Sequence, residues 1–299
     1  MTRTLHRGRR GEVHSSSDLG SGESAPLNRR TSGEKIDRHP RAGAADSLAT
    51  TPATNQTSEN ATGERVQVAV LGGFKFWEGG DALVTLSAGP QRLLALLALN
   101  AHGTSRTEAA GTLWPESSDD RALASLRSLL GRLDATARRG IVANLTDICL
   151  TEGVTVDIRE ARALANRLLT SPGRLDYADT NPAAVASLST PLLPGWYDDW
   201  VIVQAEDWRQ LRLHALEALA GHLTAAGRYG EAATSAIAAV RAEPLRESSH
   251  GALIRVHLAE GNQTEALSEY QSYRRLLHTE LGLEPTAKLR DLVGKLLDP

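Results

Sequence analysis

The chain has 299 residues, room for two ordinary domains, with a net charge of −3 and 41% apolar but only 4% aromatic residues. Leucine and alanine must therefore fill the cores, which favours helices. The single cysteine, Cys149, excludes an intramolecular disulfide framework and a multi-cysteine metal cluster.

Residues 1–64 hold no aromatic and few aliphatic residues. A segment of that composition cannot bury enough surface to offset its ordering entropy, so it reads as a disordered tail. Its basic pairs, Arg9-Arg10 and Arg29-Arg30, are either tail residues or grazing contacts to phosphates. Arg9-Arg10 is followed by Gly11, Glu12, Val13 and His14 instead of the apolar stretch a twin-arginine signal needs. No apolar run approaches the roughly eighteen residues needed to span a bilayer, so the expected location is the cytoplasm.

Order is expected from Val66. Val66, Val68 and Val70 alternate with Gln67 and Ala69, the period of a half-buried strand. Phe74 to Phe76 and Leu83 to Leu86 read as two more short strands, with turn signals at Gly72-Gly73 and over 78–81. Gly89-Pro90 opens a helix lined by Leu93, Leu94, Leu96 and Leu97, which Gly103 ends. Ser105 and Glu108 form a capping box for a second helix that stops at Trp114-Pro115. Ser117, Ser118, Asp119 and Asp120 offer N-caps for a third helix, predicted from Arg121 to Ala137. Ile141-Val142 and Ile148 to Leu150 flank Asn144 to Asp147 as a hairpin, in which alternation predicts Cys149 on the core side. Three strands, three helices and a terminal hairpin is the order of an OmpR-type winged helix, predicted for 65–155.

Charge is distributed to match. Between 66 and 170 there are 11 basic and 11 acidic residues; between 171 and 299 there are 12 and 17. Within 121–139, five arginines face one acid, Asp134. Projected at helical pitch, Leu123, Leu126, Leu130 and Leu133 make one stripe, and Arg121, Ser125, Ser128 and Arg132 lie opposite. Arginines among small side chains suit a major groove, where Arg forks to guanine and Ser bonds either base edge. Arg127, at the stripe's edge, and Arg138 and Arg139, before the hairpin, are phosphate candidates. Any amphipathic surface helix shows such a solvated face; position between a second helix and a hairpin is what favours DNA here.

Beyond 156 the pattern is helical. Val156-Asp157-Ile158 leads into a helix to about Leu169, 171–173 reads as a break, and Asn181-Pro182 opens a short helix. A long helix is predicted from Val203 to Ala226. Gly227, Glu231 and Ala232 recur 34 residues later as Gly261, Glu265 and Ala266, and Leu219 recurs as Leu253. That is the tetratricopeptide period, with small residues where paired helices cross and Pro244 after the first pair; His278 stands where the second Pro would be. Residues 156–299 are thus expected to form an all-α repeat domain of the kind that binds partners.

No phosphate-cradling Gly-x-x-x-x-Gly-Lys, Gly-x-Ser-x-Gly or His-Glu-x-x-His motif occurs. Tyr197, Asp198 and Asp199 resemble carboxylate chemistry, but beside Pro194-Gly195 they read as a solvated loop. Trp196 and Trp200 read as apolar anchors between the domains. Neither catalysis nor a cofactor or metal is expected.

A mostly α chain, a winged helix-turn-helix with a small sheet and wing hairpin followed by tetratricopeptide-like repeats, resembles the SARP family, the antibiotic regulatory proteins of filamentous bacteria. Three stretches carry the resemblance: Asp119 to Ser128; Leu193 to Trp200 with Arg209 to His214; and Pro244 to Glu247 with Glu280 to Pro285. Two positions depart from the family's pattern, Gly131 where relatives often have Trp and Asp134 where they often have a base. A glycine inside a helix costs about 1 kcal/mol against alanine, and Asp134 would bring negative charge to DNA. The resemblance implies a transcriptional activator of a biosynthetic cluster that binds direct repeats as a homodimer and recruits RNA polymerase. It also implies that the loop with Trp114, Glu116 and Asp119 meets the polymerase and its sigma factor. A second reading is a tetratricopeptide adaptor whose winged helix no longer binds DNA.

Overall fold

The structure, a computed structural model, describes residues 66–79, 82–170 and 176–297. The expected disordered tail over 1–64, the turn at 80–81 and the break at 171–173 lie outside them.

The alternating valines form β1 (Gln67–Ala69), with Val68 and Val70 wholly buried. β1 pairs antiparallel with β2 (Lys75–Glu78), which pairs with β3 (Ala82–Leu83). β3 is shorter and earlier than the predicted strand at 83–86: Leu83 is exposed, while Val84 keeps one hydrogen bond to Phe76 and Leu86 turns inward. Next come α1 (Ala88–Leu99), β4 (Thr104–Ser105), α2 (Arg106–Leu113), α3 (Asp119–Gly131) and α4 (Ala135–Arg139). The hairpin is β5 (Ile141–Ala143) and β6 (Asp147–Leu150), and β7 (Thr155–Val156) follows. β4 and β7 carry no period of their own at two residues each. β4 adds to the hairpin in the order β4-β6-β5, and β7 lies parallel to β1 in the order β3-β2-β1-β7.

The remainder is helical: α5 (Asp157–Thr170), α6 (Tyr177–Thr180), α7 (Pro182–Ser189), α8 (Asp199–Ala225), α9 (Tyr229–Ala242), α10 (Glu247–Glu260), α11 (Gln263–Leu281) and α12 (Ala287–Leu297). α8 begins four residues before the predicted Val203, since Asp199 occupies its first turn. α8–α9 and α10–α11 are the two repeat pairs. They approach through Ala220, Ala232 and Ala236 in the first and Ala266 in the second, all wholly buried. Glu217 on α8 ties the pairs together: Oε1 accepts from Arg246 Nε at 2.8 Å, Ser248 Oγ at 2.7 Å and Ser249 Oγ at 2.8 Å. Burial pushes its carboxyl up, but these three donors and the Arg246 charge outweigh it and leave the pKa below the ordinary value. Among the described residues no helix is long and apolar enough to cross a membrane.

The apolar core does not stop at residue 155. One cluster runs from Val66 through α1, α2 and α5 to Leu223, Ala239 and Val256. The join is polar as well. Asp157 accepts from the backbone N–H of Val70 at 3.0 and 3.1 Å and of Leu71 at 2.9 Å, at the end of β1. Two residues on, Arg159 donates to the carbonyls of Leu97 at 2.7 Å, Ala98 at 3.0 Å and Asn100 at 3.0 Å. Leu97 and Ala98 lie in the last turn of α1, whose carbonyls have no partner within the helix, and Asn100 is its C-cap; a cation is favoured at such an end. Burial lowers the Arg159 pKa from its ordinary value, with a smaller opposing influence from Cys149. Arg159→Met keeps the stem and removes the donors. It is expected to lower unfolding free energy by about 2–3 kcal/mol in urea titrations, because three carbonyls lose a charged partner. A loss under about 0.5 kcal/mol would mean that water replaces the guanidinium freely.

Candidate nucleic-acid interface

α2 and α3 form a helix-turn-helix joined by the turn Trp114 to Ser118, closed by Ser117 N–H on the Trp114 carbonyl at 3.0 Å. Ser105 caps α2, its Oγ accepting from Glu108 N–H at 3.1 Å. The other half of the predicted capping box is replaced: the Glu108 carboxylate accepts from Thr104 Oγ1 at 2.7 Å. α3 buries Ala122 and Leu126 and half-buries Leu123, Leu129 and Leu130. Its outer face carries Arg121, Ala124, Arg127 and Ser128, all exposed, with Ser125 half-buried beside them. Arg121 and Arg127 make no hydrogen bond or ion pair among the described residues.

The predicted helix from Arg121 to Ala137 is in fact two. α3 ends at Gly131, and Arg132 is its C-cap, with Nε donating to its own Ser128 carbonyl at 3.2 Å. Gly131 thus terminates a helix, so the interior-glycine penalty does not apply. Asp134 is the N-cap of α4, its Oδ1 accepting from Ala137 N–H at 2.7 Å. The basic residues of α4 are also engaged locally. Arg138 Nη2 donates to the carbonyls of Leu130 at 3.2 Å and Gly131 at 3.0 Å, closing the end of α3. Arg139 pairs with Glu78 of β2, which also accepts from Thr136 Oγ1 at 2.6 Å. Linear charge counting could not separate arginines that cap helices from those that face outward.

The hairpin projects as a wing. Asn144 Oδ1 accepts from the N–H of Thr146 at 2.8 Å and Asp147 at 2.6 Å, and Leu145 at the tip is 95% exposed. Ile148 and Leu150 face the core, which places Cys149 on the opposite side, paired across the hairpin with half-exposed Val142. The core reading of Cys149 is therefore corrected: the period of two was right and its phase was off by one. Gly103, at φ 79°, lies against it; a side-chain carbon there would meet Cys149 Cβ at 2.8 Å.

Arg106, the first residue of α2, was missed. Its N–H donates to the Thr146 carbonyl at 2.7 Å, binding the helix-turn-helix to the wing turn, and its buried Nε has no partner among the described residues. The capping residue before it was the available signal. Trp114 is half-buried against the core as the C-cap of α2, whereas Glu116 and Asp119 are exposed. The turn around Tyr197 is not simply a solvated loop. Asp198 pairs with Arg92 of α1 at 2.5 Å, Trp196 stacks on Phe74 with ring centroids 6.2 Å apart, and Trp200 packs on the shared core.

These features define a winged-helix protein fused through one core to tetratricopeptide-like repeats. Residues 156–297 match the bacterial transcriptional activator domain. The helix-turn-helix and the wing hairpin stand ahead of that domain in the chain. The chain is similar to regulatory protein AfsR of Streptomyces coelicolor, with 30% identity over 242 residues, covering 78% of this chain and 24% of that protein. Regulatory protein AfsR of Streptomyces griseus is 29% identical over 266 residues, covering 82% and 26%. The chain therefore spans about a quarter of the length of these curated relatives. A solved structure of Mycobacterium tuberculosis EmbR in complex with a low affinity phosphopeptide shares the fold, with a TM-score of 0.59, 22% identity, and 78% of this chain and 65% of that one covered.

The local engagements have separable consequences. Asp134→Ala is expected to cost about 1 kcal/mol of stability in thermal unfolding, as an N-cap does. Arg138→Ala should likewise lower the melting temperature, through the loosened end of α3. A variant pair with unchanged melting temperatures would return both residues to the solvated surface.

Proposed function

We propose that the chain is a sequence-specific DNA-binding transcriptional activator, with residues 65–155 reading DNA and 156–299 serving activation. The observation that carries this reading is the outer face of α3. Arg121 and Arg127 stand exposed there, unengaged among the described residues, beside the small side chains of Ala124, Ser125 and Ser128. A helix of that profile enters a major groove closely and presents forked donors to base edges. Arg121 is assigned to base edges with Ser125 and Ser128 between, Arg132 to a base edge or adjacent phosphate, and Arg127 to phosphate at the groove's margin. Arg138 and Arg139 reach phosphate only in addition to the internal bonds they already make, so their share is minor.

Wing and helix lie on one scaffold because Arg106 N–H holds the wing turn to the start of α2. The adaptor alternative accounts less well for arginines left unengaged on that face. The resemblance to the SARP family supports direct-repeat operators, with two protomers head to tail about one helical turn apart, at the promoters of a biosynthetic cluster in the cytoplasm. It also supports a role without catalysis, in which RNA polymerase and its sigma factor are the partners. Glu116, exposed and not needed to cap α3, is the residue of the Trp114 to Asp119 turn best placed to meet arginines of a sigma factor. Trp114 supports that turn from beneath.

Binding to promoters flanking the chain's own gene is the test. Arg121→Ala should cost about 1–3 kcal/mol of specific affinity and relax the preference at one base position. Arg127→Ala should weaken all sequences alike and reduce the log-log salt slope by about one. Unchanged specific binding by the Arg121→Ala, Arg127→Ala double variant would move base reading off α3, whereas no salt-dependent DNA binding by the unsubstituted chain would favour the adaptor. In transcription from the same purified template, Glu116→Arg should leave DNA affinity intact and lower transcript yield. Unchanged yield would move the polymerase contact off this turn.

A further inference from the structure

Between the turn that precedes α8 and the first half of that helix lies a cleft of about 350 Å³. Leu192, Leu193, Trp208 and Arg212, all buried, form its floor; Trp196 and Tyr197 flank it, and Tyr197 is 84% exposed. That volume is at the lower end of the range for small-molecule sites. The lining is mostly apolar, with Glu206, Arg209 and Arg212 as its charged members, and a mainly apolar lining with a few polar anchors is usual for such sites.

The anchor is Arg212. Only 7% of its surface is exposed, yet it pairs with no carboxylate among the described residues. Its Nη1 donates to the carbonyls of Ser189 at 3.2 Å and Leu188 at 3.5 Å, while Nε is buried with no hydrogen-bond partner among them. The nearby acids are committed elsewhere. Glu206 accepts from both Arg209 and Gln210, and Glu243 is bonded to Arg209 Nη1. Burial, then the Arg209 charge, lowers the Arg212 pKa, and Glu243 only partly opposes them. A buried guanidinium without a counter-charge is costly, and a bidentate carboxylate is the group whose geometry best relieves it.

A second observation falls on the same wall. Leu193 has φ 39°, an unfavourable left-handed conformation for a leucine, and such strain tends to sit at functional positions. The wall also fastens the two halves of the molecule. Gly72 N–H donates to the Pro191 carbonyl at 2.8 Å, Leu193 N–H to the Val70 carbonyl at 2.9 Å, and Trp196 stacks on Phe74.

We propose that this cleft is a binding site for a small carboxylic acid with an apolar or aromatic body. The carboxylate meets the Arg212 guanidinium and the body lies against Trp196, Tyr197 and Trp208. A ligand seated there would bear on the segment that joins the repeats to the winged helix, so its binding would be felt at that junction. The site stands independently of whether α3 reads DNA.

Isothermal titration of the full chain with phenylacetate, phenylpropionate and phenylbutyrate, each beside its uncharged amide, tests the assignment. At least one acid is expected to bind about tenfold or more tightly than its amide, the discrimination a charge-assisted pair gives. Arg212→Met should abolish that discrimination. Ala205→Phe, which fills the cleft and keeps Arg212, should abolish binding of acid and amide alike, so that a folding defect at Arg212 does not decide the matter. Equal binding of acids and amides, or no saturation by any acid below about 10 mM, would overturn the proposal. A concentration-dependent dimer in sedimentation that Ala205→Phe dissolves would give the cleft to a second copy of the chain, and overturn it too.

Discussion

Asp157 and Arg159, two residues apart at the start of α5, hold the molecule together. The carboxylate collects backbone N–H groups at the end of β1, and the guanidinium collects carbonyls at the end of α1. Each satisfies groups that secondary structure leaves orphaned, one at a strand end and one at a helix end. Opposite charges on one short segment thus meet opposite backbone polarities of the winged helix. Because both are partly buried, losing either would leave unsatisfied groups inside the join. α5 is consequently fixed to the winged helix on one side and packs on α8 on the other.

That constraint explains the molecule's single continuous core. A flexible tether between two domains would need each to close its own apolar surface, but here Val66 and Leu223 belong to one cluster. The parallel pairing of β7 with β1 carries the chain from the wing straight into α5, with no intervening loop. The turn from Pro191 to Asp198 then makes a second attachment beside the first, through backbone hydrogen bonds, the Phe74–Trp196 stack and the Arg92–Asp198 pair. With two attachments, the orientation of α3 relative to the repeats is set by the fold. A change at either attachment is transmitted through packed elements, which have few alternative arrangements.

The basic stretch between α3 and the wing shows how such a scaffold sorts like residues into unlike roles. Five arginines within nineteen positions look equivalent as charge. Arg138 closes the end of α3, Arg139 pairs with Glu78, and Arg132 bonds its own helix, whereas Arg121 and Arg127 stand clear. The acid among them, Asp134, caps a helix. Similar sorting occurs on α8, where Arg209 is matched by two glutamates and Arg212, three residues on, by none among the described residues.

Whatever depends on neighbours along the chain is legible in the residues. Alternating valines specify β1, the leucine run specifies α1, Ser105 and Asn181 start their helices, and the 34-residue recurrence specifies the paired helices, because strand period, helix period and capping are local physics. Tertiary structure alone decided what depends on residues far apart. The two-residue strands β4 and β7 exist only because β6 and β1 offer them edges. α3 stops at Gly131 because Arg138 and Asp134 make a break there as well satisfied as a helix. Cys149 lies half-buried on the other face of the hairpin because Ile148 and Leu150 on either side fill the core. Arg212 is a buried cation without a counter-charge among the described residues because the carboxylates near it, Glu206 and Glu243, are claimed by Arg209. Hydrogen-bond and charge partners are chosen across the fold, so no local pattern in the chain records them.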